Sequence, residues 1–243
     1  MSGILIYSKI EAQRNKFAIE KFKENLDVKL VFEDEINYNS KPDFVINRTN
    51  NGFIAEKFEK NGIKVFNPSS LSFLANDKQK CYEFMSKNGI EIMPINYKKY
   101  PLVVKPKNGK GGLGVRLIES GEIPQDDNLV YQKVASDCGK DLRVWLIGDK
   151  IIASILRQSK KDFRSNFCLG GSATAYNLSD EERRLVFKIA SLIDYDYIGI
   201  DFVFNNGKIV FNEIEDTVGA RMVYSVTNID ILKEYCDYIK SQL

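Results

Sequence analysis

Three acidic residues stand out because they sit in an otherwise apolar stretch: Gly199-Ile-Asp201-Phe-Val-Phe-Asn205-Asn206-Gly207-Lys-Ile-Val-Phe-Asn-Glu213-Ile-Glu215. The stretch reads as a β-hairpin. Asn205-Asn206-Gly207 suits a three-residue loop, a type I turn with glycine in the left-handed position. In that register Phe204 pairs with Lys208, so Asp201 faces Phe211 and has Glu213 as its diagonal neighbour on the same face. Period-two alternation brings Glu215 to that face as well. A two-residue turn would shift the register by one and send Glu213 and Glu215 away from Asp201. The cluster therefore depends on the loop length. Three carboxylates among Ile, Val and Phe repel one another and are costly to desolvate. A divalent cation resolves the conflict: Mg²⁺ takes a few carboxylate oxygens and completes its octahedron with phosphates and water. The alternative is an edge strand whose acids point to solvent.

A second chemistry-bearing stretch is Lys107-Asn-Gly109-Lys-Gly111-Gly112-Leu-Gly114, which contains GxGxxG. The dinucleotide-binding version of that pattern needs a helix to start at the last glycine. Here Val115-Arg116-Leu117-Ile118 follows and reads as a strand. No GK[ST] follows either, so a Walker A loop is excluded. What remains is a strand–loop–strand flap whose glycines let backbone N–H groups close over phosphate oxygens. Val103-Val104-Lys105-Pro106 puts Lys105 at the root of the loop, where an ammonium can pair with a phosphate. A plain flexible hairpin with a solvated lysine is the competing reading.

The chain of 243 residues contains no histidine. That removes Ser-His-Asp and Cys-His nucleophiles, His-zinc sites and the HRD loop of protein kinases. Chemistry must run on carboxylates, Lys, Arg, backbone amides and bound ions. The net charge of +2, with basic residues spread along the chain, argues against a nucleic-acid partner. No apolar stretch is long enough to span a membrane. Cys81, Cys138, Cys168 and Cys236 form no CxxC pair and read as free thiols of a reducing, cytoplasmic setting.

The elements that must position these residues follow from the apolar pattern. Ile4–Tyr7, Val28–Phe32, Phe44–Ile46 and Ile63–Phe66 read as strands; Glu11–Leu26 and Phe53–Asn61 read as helices. This alternation implies a small α/β unit with a mostly parallel sheet. Asn67-Pro68-Ser69-Ser70 is a turn-rich joint and marks a domain edge. Asp77–Asn88 is a helix capped by Gly89. Leu102–Lys105, Val115–Ile118, Leu129–Val134, Leu142–Ile147 and Lys150–Arg157 look extended. Ser179 and Glu182 form a capping box opening a helix to about Ile193, and a last helix starts near Ile229. The class is α+β with antiparallel sheets after about residue 100.

The ordered motifs Asp77-Lys78, Val103-Val104-Lys105-Pro106, the glycine flap, Gly139-Lys-Asp141-Leu-Arg143, Asp162-Phe-Arg164-Ser-Asn166 with Gly170-Gly171, Gly199-Ile-Asp201 and Asn212-Glu213-Ile-Glu215 resemble those of ATP-grasp enzymes. The branch they resemble is that of the RimK-like amino-acid ligases. The resembling stretch runs from about Asn76 to Asp230, some two thirds of the chain. The resemblance implies an ATP-grasp fold: two α+β lobes with antiparallel sheets sandwiching ATP, after a small α/β N-terminal domain. The implied division is residues 1–70, then the lobe with the flap at 71–135, then the lobe with the metal site at 136–243. It further implies that Lys78 and Lys105 meet ATP phosphates under Gly109, Gly111 and Gly112. Gln132, Lys133 and Val134 would meet the adenine, Asp141 the ribose or adenine end. Arg157, Arg164 and Asn166 would point to the γ-phosphate and an acyl phosphate. Asp201, Glu213 and Glu215 would hold Mg²⁺, with Mn²⁺ as a substitute.

Glu215 departs from the family, which commonly has Asn there. Asp216-Thr217-Val218-Gly219 departs from the family's small-small-Pro-Gly loop. Arg221 falls where the acceptor is often met; it binds a substrate carboxylate or makes a salt bridge to Glu213 or Asp216. Arg48, after the strand Phe44–Ile46, is a further substrate candidate. The implied activity is an ADP-forming carboxylate–amine ligase acting through an acyl phosphate, on a small-molecule acid and an amine or peptide. The competing functions are an inactive ATP-binding scaffold and a kinase-like phosphoryl transferase. No nucleic-acid or membrane partner is implied, and a homodimer is compatible with the relatives.

Overall fold

The computed structural model describes residues 1–109, 111–159 and 171–243. The first strands are β1 (Gly3–Tyr7), β2 (Val28–Phe32), β3 (Phe44–Asn47) and β4 (Lys64–Phe66), a parallel sheet in the order β2-β1-β3-β4. Alternate residues feed two cores. Leu5, Tyr7, Phe44, Ile46 and Phe66 join one apolar cluster, and Ile6, Val45 and Val65 join another with Ile54, Ala55 and Phe58 of α3 (Gly52–Glu59). Burial on both faces is what a parallel sheet requires.

The single helix expected over Glu11–Leu26 is two: α1 (Lys9–Arg14) and α2 (Lys16–Asn25). Asn15 divides them, its side-chain amide donating to the Glu11 carbonyl at 2.8 Å. Such a side-chain bond competes with the helical ladder. The stretch read as a joint also behaves differently. Helix α4 (Ser69–Ala75) starts there, and the buried Asn67 amide donates to the carbonyls of Tyr197 and Asp216, each at 2.7 Å. Its oxygen accepts from the amides of Asp196 and Tyr197 at 2.7 and 2.9 Å. Asn67 thus stitches the N-terminal unit to the far end of the chain.

Helix α5 (Lys78–Lys87) leads into a three-stranded antiparallel sheet, β6-β5-β7, made of β5 (Leu102–Pro106), β6 (Arg116–Ile118) and β7 (Leu129–Lys133). The loop between β5 and β6 is the glycine flap. A five-stranded antiparallel sheet follows, ordered β10-β9-β8-β11-β12. Its strands are β8 (Lys140–Ile147), β9 (Lys150–Gln158), β10 (Ser172–Ala175), β11 (Tyr197–Asn205) and β12 (Lys208–Glu215). Helix α6 (Asp180–Ala190) starts at the expected capping box of Ser179 and Glu182. Two helices, α7 (Arg221–Val226) and α8 (Ile231–Ser241), end the chain. Helices α4 and α7 and strand β10 have no counterpart in the sequence expectations. No helix among the described residues is long and apolar enough to cross a membrane.

One face of the large sheet changes character along its strands. Trp145 and Ile147 at the far end of β8 lie in the core shared with the N-terminal sheet and α8. Earlier on the same face Asp141 lines the cleft below the flap, and Arg143 beside it is largely buried against Asp201 and Glu215.

Candidate active site

The β11–β12 hairpin closes with a two-residue turn, Asn206-Gly207, where Asn205 pairs with Lys208. Both turn residues have positive φ, 51° and 75°, which matches a type I′ turn. The three-residue loop expected from the sequence is therefore corrected, and so is the register. Phe202 pairs with Phe211, yet Asp201 pairs with Glu213 and Gly199 with Glu215. A β-bulge lies between these pairs, with Asn212 as the extra residue. The bulge adds a second one-residue shift in the same direction, which returns Glu213 and Glu215 to the face of Asp201 and sets Glu213 directly across from it. Oxygens of Asp201, Glu213 and Glu215 lie within 4.8 Å of one another. Ligands about 2.1 Å from one Mg²⁺ are at most ~4.2 Å apart, so small rotamer changes suffice. Three hard carboxylate donors suit Mg²⁺ or Mn²⁺ rather than a thiophilic metal.

Cations surround these acids. Arg143 donates its Nε and Nη2 to the two oxygens of Asp201, both at 2.6 Å, and reaches Glu215 at 3.0 Å. Arg157 forks onto Asp141 at 2.5 and 2.6 Å and reaches Asp201 at 2.8 Å. Burial alone would raise the Asp201 carboxyl, but the two guanidiniums overcome it and hold the group at about 2. Lys78 lies 3.2 Å from Glu213 and donates to the Gly109 carbonyl at the root of the flap at 2.5 Å. Lys105 is buried, donating to the Tyr82 hydroxyl at 2.5 Å and to Asn212 Oδ1 at 3.2 Å. Burial, with Lys78 nearby, pulls its ammonium down to about 8. Among the described residues, Asp141, Asp201, Glu213 and Glu215 are thus met by Lys78, Arg143 and Arg157, and Lys105 lines the same cleft. Gly199 suits its place here: a Cβ would lie 2.7 Å from Val218 Cγ2, closer than packed atoms come.

The cleft between the two antiparallel sheets collects most of the expected residues. Lys78, Lys105, Gly109, Gly111, Gly112, Gln132, Lys133, Val134, Asp141, Arg157 and Glu213 all line it. Gly111 and Gly112 hold φ of 64° and 74°, and a Cβ on Gly114 would meet Pro106 at 2.8 Å. Gln132 is buried with its amide on the Met93 carbonyl at 3.2 Å. Asp141 faces Arg157 rather than standing free for a ribose. Arg48 lies outside the cleft lining: it donates to the Val218 carbonyl at 2.6 Å and packs over the Tyr197 ring. It holds the loop after β12, which displaces the substrate role expected for it. Arg221 is exposed at the start of α7, and no ion pair to Glu213 or Asp216 forms among the described residues. Arg164 and Asn166 lie outside the described residues. The sequence reading gave no role to Arg143, Tyr82 or Asn212. For Arg143 the signal was present, since it stands two residues from Asp141 and so shares its face.

A family model described as the RimK-like ATP-grasp domain matches residues 60–239. The chain belongs to the RimK-like ATP-grasp family. Among similar proteins is a probable alpha-L-glutamate ligase of Trichodesmium erythraeum, 25% identical over 215 residues, covering 78% of this chain and 72% of that one. Among solved structures, the ATP-grasp ligase PsnB with a phosphomimetic variant of its minimal precursor, Mg and ADP superposes with a TM-score of 0.76 at 16% identity, over 100% of this chain and 98% of that one. D-alanine–D-alanine ligase from Bacillus anthracis with ATP gives 0.69 at 16% identity, over 98% and 95%. The fold of this RimK-like protein is the ATP-grasp fold, and the cleft lies between its two antiparallel sheets.

Proposed function

We propose that this chain is an ADP-forming carboxylate–amine ligase that activates an acid as an acyl phosphate and joins it to an amine. The observation that carries this reading is the charge-matched cleft: three clustered carboxylates facing Lys78, Lys105, Arg143 and Arg157 beneath a glycine flap. In this reading residues 1–70 precede the ATP-grasp lobes, 71–135 carry the flap and 136–243 the ion site. The glutamate-ligase name of one relative and the peptide precursor of one structural neighbour support an amino acid or small acid as donor, and an amine or peptide as acceptor.

A carboxylate is a poor nucleophile toward an anionic triphosphate because the charges repel. Lys78 and Lys105 would neutralise phosphate oxygens from the flap side, and Arg143 and Arg157 from the sheet side. Asp201, Glu213 and Glu215 would hold Mg²⁺, which supplies charge neutralisation on the phosphates when bound. Transfer breaks the bond from the γ-phosphorus to its bridging oxygen and forms one to the substrate carboxylate, releasing ADP. Arg164 and Asn166 are assigned to the acyl phosphate in the same reading. The flap would exclude water from that reactive intermediate. The amine then attacks the acyl carbon, phosphate leaves, and the amine proton is released. Gln132, Lys133 and Val134 would meet the base, and Arg221 a substrate carboxylate.

The test is an ADP-release screen of paired amino acids, small dicarboxylic acids and amines, with mass spectrometry for the new amide. Wild type should release ADP only when both partners are present, and Lys105→Ala should lose turnover by about 10²-fold or more. Normal turnover in Lys105→Ala would remove the phosphate role of that lysine. A phosphorylated product with no amide would replace the ligase reading by a phosphoryl transferase.

A further inference from the structure

The helix that begins at Lys78 also buries Tyr82, four residues on and so on the same helical face. Its ring is edge-on to Phe211, with centroids 6.4 Å apart. Its hydroxyl accepts from Lys105 Nζ at 2.5 Å and donates to Asn212 Oδ1 at 3.3 Å; that oxygen also accepts from Lys105 at 3.2 Å. The three side chains close a triangle. The ammonium also lies 4.9 Å from the Tyr82 ring centroid, within cation–π range.

Two features separate this from ordinary packing. A phenylalanine would fill the same buried space without an oxygen to satisfy, and burying a hydroxyl is unfavourable unless it is bonded. And Lys105, an ammonium with three donors, spends two on neutral acceptors, with no carboxylate within salt-bridge distance among the described residues. The third donor is left for a ligand in the cleft that Lys105 lines. We propose that Tyr82 is the positioning residue for Lys105, and that its hydroxyl, with the bulged Asn212, sets where the ammonium meets a nucleotide phosphate. This rests on the reading of the cleft as a nucleotide site. It makes α5 a two-part device: Lys78 supplies one cation, and Tyr82 aims the other.

The test compares wild type, Tyr82→Phe, Asn212→Ala and Lys105→Ala by calorimetric titration of ADP with Mg²⁺, beside thermal melts. Tyr82→Phe keeps the ring and should weaken ADP binding about tenfold while melting within a few degrees of wild type. Asn212→Ala should shift binding in the same direction and serves if Tyr82→Phe fails to fold. The weakening in Tyr82→Phe should grow between about pH 7 and about pH 9, because the ammonium has lost an acceptor that supports its charge. Cys81 and Lys78 of α5 and Glu213 of β12 also face it and are unchanged in that variant. If wild type binds ADP, Lys105→Ala does not, and Tyr82→Phe binds as wild type at both pH values, Tyr82 is a core residue only and the proposal fails alone. If wild type itself binds no ADP, the nucleotide reading fails and takes this proposal with it.

Discussion

Asp201 is held by two guanidiniums at once. It is almost fully buried, and both its oxygens are held by guanidiniums. Breaking one partner of such a pair is strongly unfavourable, by about 3–5 kcal/mol, because the remaining charge stays buried. The acid side of the stability curve should report this. The Asp201 carboxyl in the folded protein sits at about 2, below its ordinary 3.8, so the unfolded state binds more protons between those values. The contribution of Asp201 to the stability of the metal-free protein should therefore be full above about pH 4 and be lost as pH drops toward about 2. Urea titrations across that range check it: Asp201→Asn should be less stable at neutral pH and show a flatter acid slope. An unchanged slope would mean the two arginines do not govern that carboxyl. Chemistry at this scale was partly legible in the sequence. Acids among apolar residues, and a lysine at the root of a glycine loop, announce themselves by type and spacing. The partners of those groups do not: Tyr82 and Asn212 meet across 130 residues, and nothing local to either points to the other.

The hairpin of β11 and β12 sets the geometry through two irregularities that compensate. The Asn206-Gly207 turn shifts the register by one residue, and the bulge at Asn212 shifts it by one more, so the acids return to one face. The sequence reading reached the right face for the acids with the wrong loop and no bulge. An Asn-Asn-Gly string is compatible with either turn length, and a bulge depends on pairing rather than on residue type. Helix boundaries were read well where a side chain caps the end, as at Asp77 and Ser179, and poorly at Asn15, where one side chain splits a continuous apolar pattern. Two glycines of the hairpin should separate strain from site geometry. Gly207 has φ of 75° and open space around its missing Cβ, so Gly207→Ala should cost about 1–2 kcal/mol and leave Mn²⁺ binding unchanged. Gly199→Ala should cost about 1–3 kcal/mol by overpacking against Val218 and also weaken Mn²⁺, because Gly199 pairs with Glu215 across the hairpin. Urea unfolding with Mn²⁺ titration by electron paramagnetic resonance measures both. Equal effects of the two variants on Mn²⁺ would contradict the assignment.

At the scale of the whole molecule, one apolar cluster runs from Leu5 and Phe44 of the N-terminal sheet to Trp145 of β8 and Tyr235 of α8. Asn67 and Arg48 fasten the same unit to the loop after β12. The N-terminal unit therefore braces the strand ends that present Asp201, Glu213 and Glu215. The sequence showed this unit only as a βα alternation, because packing across the chain leaves no local pattern. The opposite wall of the cleft is a smaller three-stranded sheet carrying the flap. A large braced sheet holding the acids, facing a light sheet holding the glycines, suits a site that must open and close around a charged ligand. The proposed reaction requires that cleft to grip a nucleoside triphosphate and a divalent ion together. Calorimetric titration of a non-hydrolysable ATP analogue, with Mg²⁺ and again with a chelator, measures it directly. The expected result is one site per chain and an affinity at least about tenfold lower, a loss of ~1.4 kcal/mol or more, when Mg²⁺ is removed. No binding, or binding indifferent to Mg²⁺, would contradict it.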